Sequence, residues 1–170
     1  MKAKKIPVRR IAECALLIAL EVVLNRFASF QVLGLKIGLS FLPMALCAML
    51  FGPWWAAVCY GLSDLIGALL FPFGAYFPGF TLTAFLTGLV YGFFYRKGEV
   101  TLKTSIVPNL IVSFGLNLIL DTIWLMILMG QGFWALLPTR IVKCVVMFVI
   151  QTALIPLVWN KIMLRTPITQ

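Results

Sequence analysis

Long apolar runs separated by short polar or glycine- and proline-bearing stretches organise this chain. A helix needs roughly 16–25 apolar residues to cross the hydrocarbon core of a bilayer. The pattern predicts six such helices. The first covers Val8 to Ser29. The second, Lys36 to Phe51, is short and carries Pro43, which predicts a tilted, kinked or shielded span. Gly52-Pro53 then predicts a tight turn into the third, Trp54 to Leu70. Phe71 to Gly79 holds two prolines and two glycines and breaks the helix. The fourth is Phe80 to Tyr95, followed by a polar loop from Arg96 to Thr104. The fifth is Ser105 to Met129, and the sixth, beyond a Gly130–Pro138 connection, is Thr139 to Leu164.

Composition agrees with that pattern. The chain is 62% hydrophobic and 11% charged, with mean hydropathy +1.06. A soluble domain of 170 residues needs far more charged surface, so lipid is the expected solvent. The length suits one compact transmembrane domain over residues 1–170, an all-α bundle, and not two. The basic start resembles a secretory signal, but no Ala-x-Ala-type site follows, which predicts a retained first helix.

The net charge of +9 has the distribution of a topology signal and not of a nucleic-acid-binding face. Lys2, Lys4, Lys5, Arg9 and Arg10 precede the first span. Arg96, Lys97 and Lys103 join the fourth and fifth, and Lys161 and Arg165 close the sixth. An even count of spans puts these groups on one side, so both termini are expected in the cytoplasm.

Four basic residues remain: Arg26, Lys36, Arg140 and Lys143. Charges within a span cost a few kcal/mol near the bilayer centre and point to function. Arg26 would end the first span and Lys36 open the second. Arg140 and Lys143 are three apart on one face of the sixth. Asp64 belongs to the outer half of the third span and Asp121 to that of the fifth, with Asn117 one turn below. All fall at one depth, the outer half of the bundle. Snorkelling ends and structural ion pairs explain each residue singly. Four cations against two anions, gathered in one leaflet, instead suit an anionic ligand. Glu13 lies four residues from Arg9, as a local pair would; Glu21, near mid-membrane, fits either arrangement.

The connection from Phe71 to Phe80 holds five aromatic residues, Phe73, Tyr76 and Phe77 among them. Trp124 is expected at similar depth. Such a cluster reads either as an interfacial belt or as a lid over a flat heterocycle, with prolines restraining it and glycines acting as hinges. Small residues mark close helix contacts: Ala84, Gly88 and Gly92 on the fourth span, Ala57 and Gly61 on the third, Ala12, Ala15 and Ala19 on the first. The last set lies in the cytoplasmic half and suits a contact with another protein.

Enzyme chemistry has no visible footing. The chain has no histidine and no Gly-x-x-x-x-Gly-Lys-Ser/Thr phosphate loop, and no Ser/His/Asp or Cys/His set is possible. Cys14, Cys47, Cys59 and Cys144 lie in apolar segments without metal-ligand spacing and read as small buried hydrophobes. Neither a metal site nor a cofactor is expected.

Several stretches carry a family resemblance. They are Ala15-Leu-Leu-Ile-Ala19 through Arg26, Ile37 to Pro43, and the Leu50-Phe-Gly-Pro-Trp54-Trp55 turn. Ser63-Asp64 to Pro72, Gly74 to Thr81, Asn117 to Trp124 and Leu136 to Arg140 complete the set. In these the chain resembles the substrate-binding subunits (S components) of energy-coupling factor vitamin transporters, most closely the folate-specific group. The resemblance implies a six-helix bundle in a prokaryotic cell membrane that captures folate or a reduced folate from outside. It also implies docking on a transmembrane coupling protein that two ATPases energise, with Ala15 and Ala19 matching the family's Ala-x-x-x-Ala contact motif.

Folate suits the residues read independently. Its tail carboxylates could pair with Arg140, Lys143, Lys36 or Arg26, its pterin donors with Asp64 or Asp121, and its rings with the loop aromatics. Two other readings stay open: a subunit for another pterin or flat heterocyclic nutrient, or a small membrane scaffold whose polar layer is structural.

Overall fold

The computed structural model describes residues 8–27, 29–32, 35–71, 76–96, 100–130 and 132–165, with backbone alone for Arg26, residues 30–32 and 35–37, and residues 162–165. Among the described residues there are six helices: α1 (Val8–Phe27), α2 (Phe41–Phe51), α3 (Pro53–Leu70), α4 (Pro78–Tyr95), α5 (Leu102–Met129) and α6 (Phe133–Arg165). By length and hydropathy, α3, α5 and α6 are clear candidates to cross a membrane.

The side chains are arranged as lipid requires. Large apolar groups face outward, as with Trp54 at 68% exposure, Leu69 at 66% and Val149 at 60%. Polar ones such as Ser63, Thr83, Asn109, Ser113 and Gln151 are buried. An aqueous protein would reverse this, because each unpaired polar group facing hydrocarbon costs several kcal/mol.

Two predicted boundaries are corrected. The first helix ends at Phe27 instead of Ser29, and the second begins at Phe41 instead of Lys36. Between them Ser29–Val32 (β1) and Leu35–Gly38 (β2) pair as an antiparallel hairpin, Gln31 opposite Lys36. The stretch carries Phe30, Val32 and Ile37, residue types that favour strands, on either side of Gly34. Pro43 therefore stands in the first turn of α2, where its missing N–H costs nothing, and no kink is required. With 11 residues α2 is only about 17 Å long and is enclosed by its neighbours.

Gly52 supplies the expected turn: its φ of +83° is open to glycine, and Pro53 starts α3 with its fixed φ. Helices α3 and α4 pair most extensively of all. The small residues make that possible. A Cβ on Gly88 would lie 2.6 Å from the Ala56 carbonyl oxygen, and one on Gly92 would lie 2.2 Å from the Pro53 Cα.

Thr101 caps α5 with a reciprocal Thr101–Thr104 box, so this helix starts three residues earlier than the apolar run suggested. Its middle, Ile111–Leu120, is a wide π-helical stretch just beyond Pro108. Gly130, at φ +66°, ends it. Helix α6 begins at Phe133 and absorbs Pro138, which the sequence had placed in a connection.

Candidate functional site

A cavity of about 590 Å³ opens between the helices, lined by residues of all six, with Gly38 and Ser40 also in the lining. Helix α6 carries Arg140 and Lys143 into its wall. The π-helical stretch of α5 and the residue that follows it present Ser113, Asn117 and Asp121 at four-residue spacing. Helix α3 adds Asp64 and Ser63, and α1 adds Glu21 and Asn25.

Arg140 is 7% exposed and reaches from α6 to α5, where its Nη2 donates to the Asp121 carbonyl at 3.1 Å. Its Nε is buried with no hydrogen-bond partner among the described residues, and so is Asp121 Oδ1. A cationic donor and a carboxylate acceptor are thus left unmatched in one wall. Each unmatched group costs about 1–3 kcal/mol until a ligand supplies a partner. Asp64 Oδ2 accepts from Thr81 Oγ1 at 2.8 Å, and that hydroxyl meets Tyr76 Oη at 3.1 Å. Glu21 Oε1 accepts from Asn25 Nδ2 at 2.9 Å.

The deep end is aromatic and hydroxylic, with Tyr60, Tyr91 and Gln151. Gln151 Oε1 accepts from Tyr91 Oη at 3.3 Å and Ser113 Oγ at 3.4 Å. This ties α4, α5 and α6 together beneath the cavity.

Of the residues expected at the site, Asp64, Asn117, Asp121, Arg140 and Lys143 converge on the cavity. The side chains of Arg26 and Lys36 and all of Phe73 lie outside what is described; the backbone of Lys36 is in β2, and β2 packs against α6. Tyr76, Phe77 and Trp124 do not reach the cavity wall. Tyr76 is exposed beside Thr81, while Phe77 packs on Trp124 with ring centroids 5.6 Å apart, and the indole N–H donates to Thr83 Oγ1 at 3.1 Å. The aromatics that do line it are Phe41, Tyr60, Phe80 and Tyr91. Phe80 closes the aromatic Phe71–Phe80 stretch, whereas Phe41, Tyr60 and Tyr91 lie on helices outside it, where a search for an aromatic-rich loop does not find them.

Two of the four cations behind the expected positive surplus, Arg26 and Lys36, have side chains outside the described residues. Among described side chains the wall carries two cations, Arg140 and Lys143, against three carboxylates, Glu21, Asp64 and Asp121. Among these described groups, cationic α6 faces carboxylates on α1, α3 and α5. Gln151 escaped the sequence reading, although a lone amide in an apolar helix was a usable signal.

Elsewhere, Arg9 Nε pairs with Glu13 at 2.7 Å, as their spacing implied. Ala12, Ala15 and Ala19 are exposed along α1 beside Ile11, Leu16 and Leu20. All four cysteines are free and buried, as expected. Three of them, however, are not isolated: Cys14, Cys47 and Cys59 come together from three helices.

Comparison with known proteins places this geometry. A family profile described as the substrate-specific component of ECF transporters matches residues 9–159. The folate transporter FolT of Clostridium novyi (strain NT) is 40% identical over 148 residues, which span 87% of this chain and 86% of that protein. The folate transporter FolT of Leuconostoc mesenteroides subsp. mesenteroides is 31% identical over 157 residues, spanning 88% of this chain and 84% of that one. A crystal structure of FolT bound with folic acid is similar with a TM-score of 0.82 at 40% identity, covering 89% of this chain and 91% of that one.

Proposed function

The chain belongs to the substrate-specific components of ECF transporters, and from that membership we propose that it binds folate in the α1–α6 cavity and serves as the folate subunit of such a transporter. It is a binding subunit of a prokaryotic cell membrane, multi-pass, with both ends in the cytoplasm and the cavity opening outward. It performs no catalytic step.

One observation carries the reading: a buried guanidinium donor and a buried carboxylate acceptor, Arg140 Nε and Asp121 Oδ1, stand unmatched in the wall of one cavity. Folate brings complements to both. Its tail carboxylates accept from Arg140 and Lys143, Arg offering two parallel donors. Its pterin amino and ring N–H groups donate to Asp121, with Asp64 and Glu21 within the same wall. Tyr60, Phe80 and Tyr91 offer faces to its rings, each contact contributing on the order of 1 kcal/mol. The 590 Å³ volume falls within the usual range of about 300–1,000 Å³ for small-molecule sites.

Purified protein should melt at higher temperature with micromolar folate or a reduced folate, and unchanged with riboflavin, biotin or thiamine. Equal stabilisation by a pterin lacking the glutamate tail would show that the α6 cations are idle and favour the broader pterin reading.

The exposed Ala12, Ala15 and Ala19 face of α1 is the proposed contact for the transmembrane coupling protein that two ATPases energise. Small side chains let two helix backbones approach closely. Ala15→Leu should weaken co-purification with the coupling subunit by about tenfold or more, the usual order for overpacking a close contact. Folate-induced stabilisation should stay at the wild-type value. Loss of both properties together would contradict the separate placement of the two surfaces.

A further inference from the structure

The thiols of Cys14 on α1, Cys47 on α2 and Cys59 on α3 lie within 4.8 Å of one another. They are 5%, 0% and 2% exposed, and none lines the folate cavity. Met44 completes their cluster, with Leu17, Ile18, Phe51, Trp55 and Tyr60 packed around it. Among the described residues the side chains packed on this trio are mainly apolar. Three sulfurs from three helices form a donor set that the spacing along the chain could not show.

The surroundings restrict what such a set can hold. An apolar interior penalises any bound species that ends with net charge. Zinc(II) on three thiolates carries one negative charge and copper(I) two, which the apolar side chains packed on the trio do not balance. A trivalent ion on three thiolates is neutral. It needs no fourth ligand when its coordination is pyramidal, and three soft thiolates select a soft centre.

We propose that Cys14, Cys47 and Cys59 form a site for trivalent arsenic, taken up as arsenous acid. Each of the three As–O bonds is replaced by an As–S bond. Each thiol proton leaves with a hydroxyl, so three waters are released and arsenic stays trivalent. No oxidant, reductant or net charge enters. Arsenous acid is itself small and uncharged, suited to passage through an apolar shell. Rotation of the cysteine side chains about their Cα–Cβ bonds draws the sulfurs inside the 4.8 Å limit. The product ties α1 covalently to α2 and α3.

The test uses the full chain, reduced and purified in detergent, with arsenite. The intact mass should rise by one arsenic less three hydrogens, and X-ray absorption at the arsenic edge should show three sulfur neighbours and no oxygen. Cys47→Ala should weaken capture by about a hundredfold, the order lost when one tether of a multidentate attachment is removed. Cys14→Ser repeats that test should Cys47→Ala fold poorly. Cys144→Ala, on α6 and outside the trio, should leave the mass shift and the three-sulfur shell unchanged. No adduct, an oxygen in the arsenic shell, or undiminished capture by both trio variants overturns the proposal. None of these readouts involves folate, so they stand apart from the transport reading.

Discussion

Arg140→Ala should raise the folate dissociation constant on the order of a hundredfold, because a charge-assisted bond in a buried site is worth up to about 3 kcal/mol. Arg140 is 7% exposed in the cavity wall, and its loss would leave Lys143 as the remaining cation among the described lining residues. The deletion also removes the Nη2 bond to the Asp121 carbonyl, which holds α6 to α5. Arg140→Lys separates these roles: it restores charge but not the parallel donors, and should recover only part of the affinity. Titration calorimetry with folate and a tail-less pterin measures both. The tail-less compound should bind wild type and Arg140→Ala about equally. A loss that falls equally on the two ligands would place the glutamate tail elsewhere and sink the assignment.

Gly92→Ala should abolish most folded protein, a larger effect than any single ligand contact. The new Cβ would lie 2.2 Å from the Pro53 Cα and 2.6 Å from its nitrogen, and backbone cannot step aside as a flexible side chain can. Overpacking costs about 1–3 kcal/mol where side chains can adjust, and more where they cannot. Against a total stability of about 5–15 kcal/mol, separation of α4 from α3 is a large fraction. Gly88→Ala meets the Ala56 carbonyl oxygen and the Ala57 Cα at 2.6 Å and should behave likewise. Gly132→Ala, with nothing within 4 Å, should melt as wild type does. Monodispersity and melting temperature in detergent report all three. A normal melting temperature for Gly92→Ala would show that α3 and α4 can part without loss of the fold.

The sequence was informative where a residue's own chemistry limits where it can go. Gly52-Pro53 permitted only a tight turn, and the small residues on α3 and α4 marked the closest helix pair. Asp64, Asp121, Arg140 and Lys143 had to face inward, because lipid solvates none of them. The apolar text was less informative about helix ends. A strand and a helix of similar hydrophobicity look alike over four residues, so the β1–β2 hairpin was hidden in the gap between two spans. The aromatics were legible only in part, for another reason. The Phe71–Phe80 connection suggested a lid, with Trp124 at similar depth; in the structure Phe77 and Trp124 pack on each other, and Phe41, Tyr60, Phe80 and Tyr91 line the wall.

By itself the sequence determined the solvent of this protein, the number of helices and the residues that must avoid lipid, since each follows from transfer energies that a side chain carries with it. The tertiary structure alone decided which of those residues meet. Bringing Glu21 and Gln151 into the same cavity as Arg140, or Cys14, Cys47 and Cys59 to one point, depends on how helices rotate and cross, and that is set by the summed packing of many weak contacts that no local pattern records.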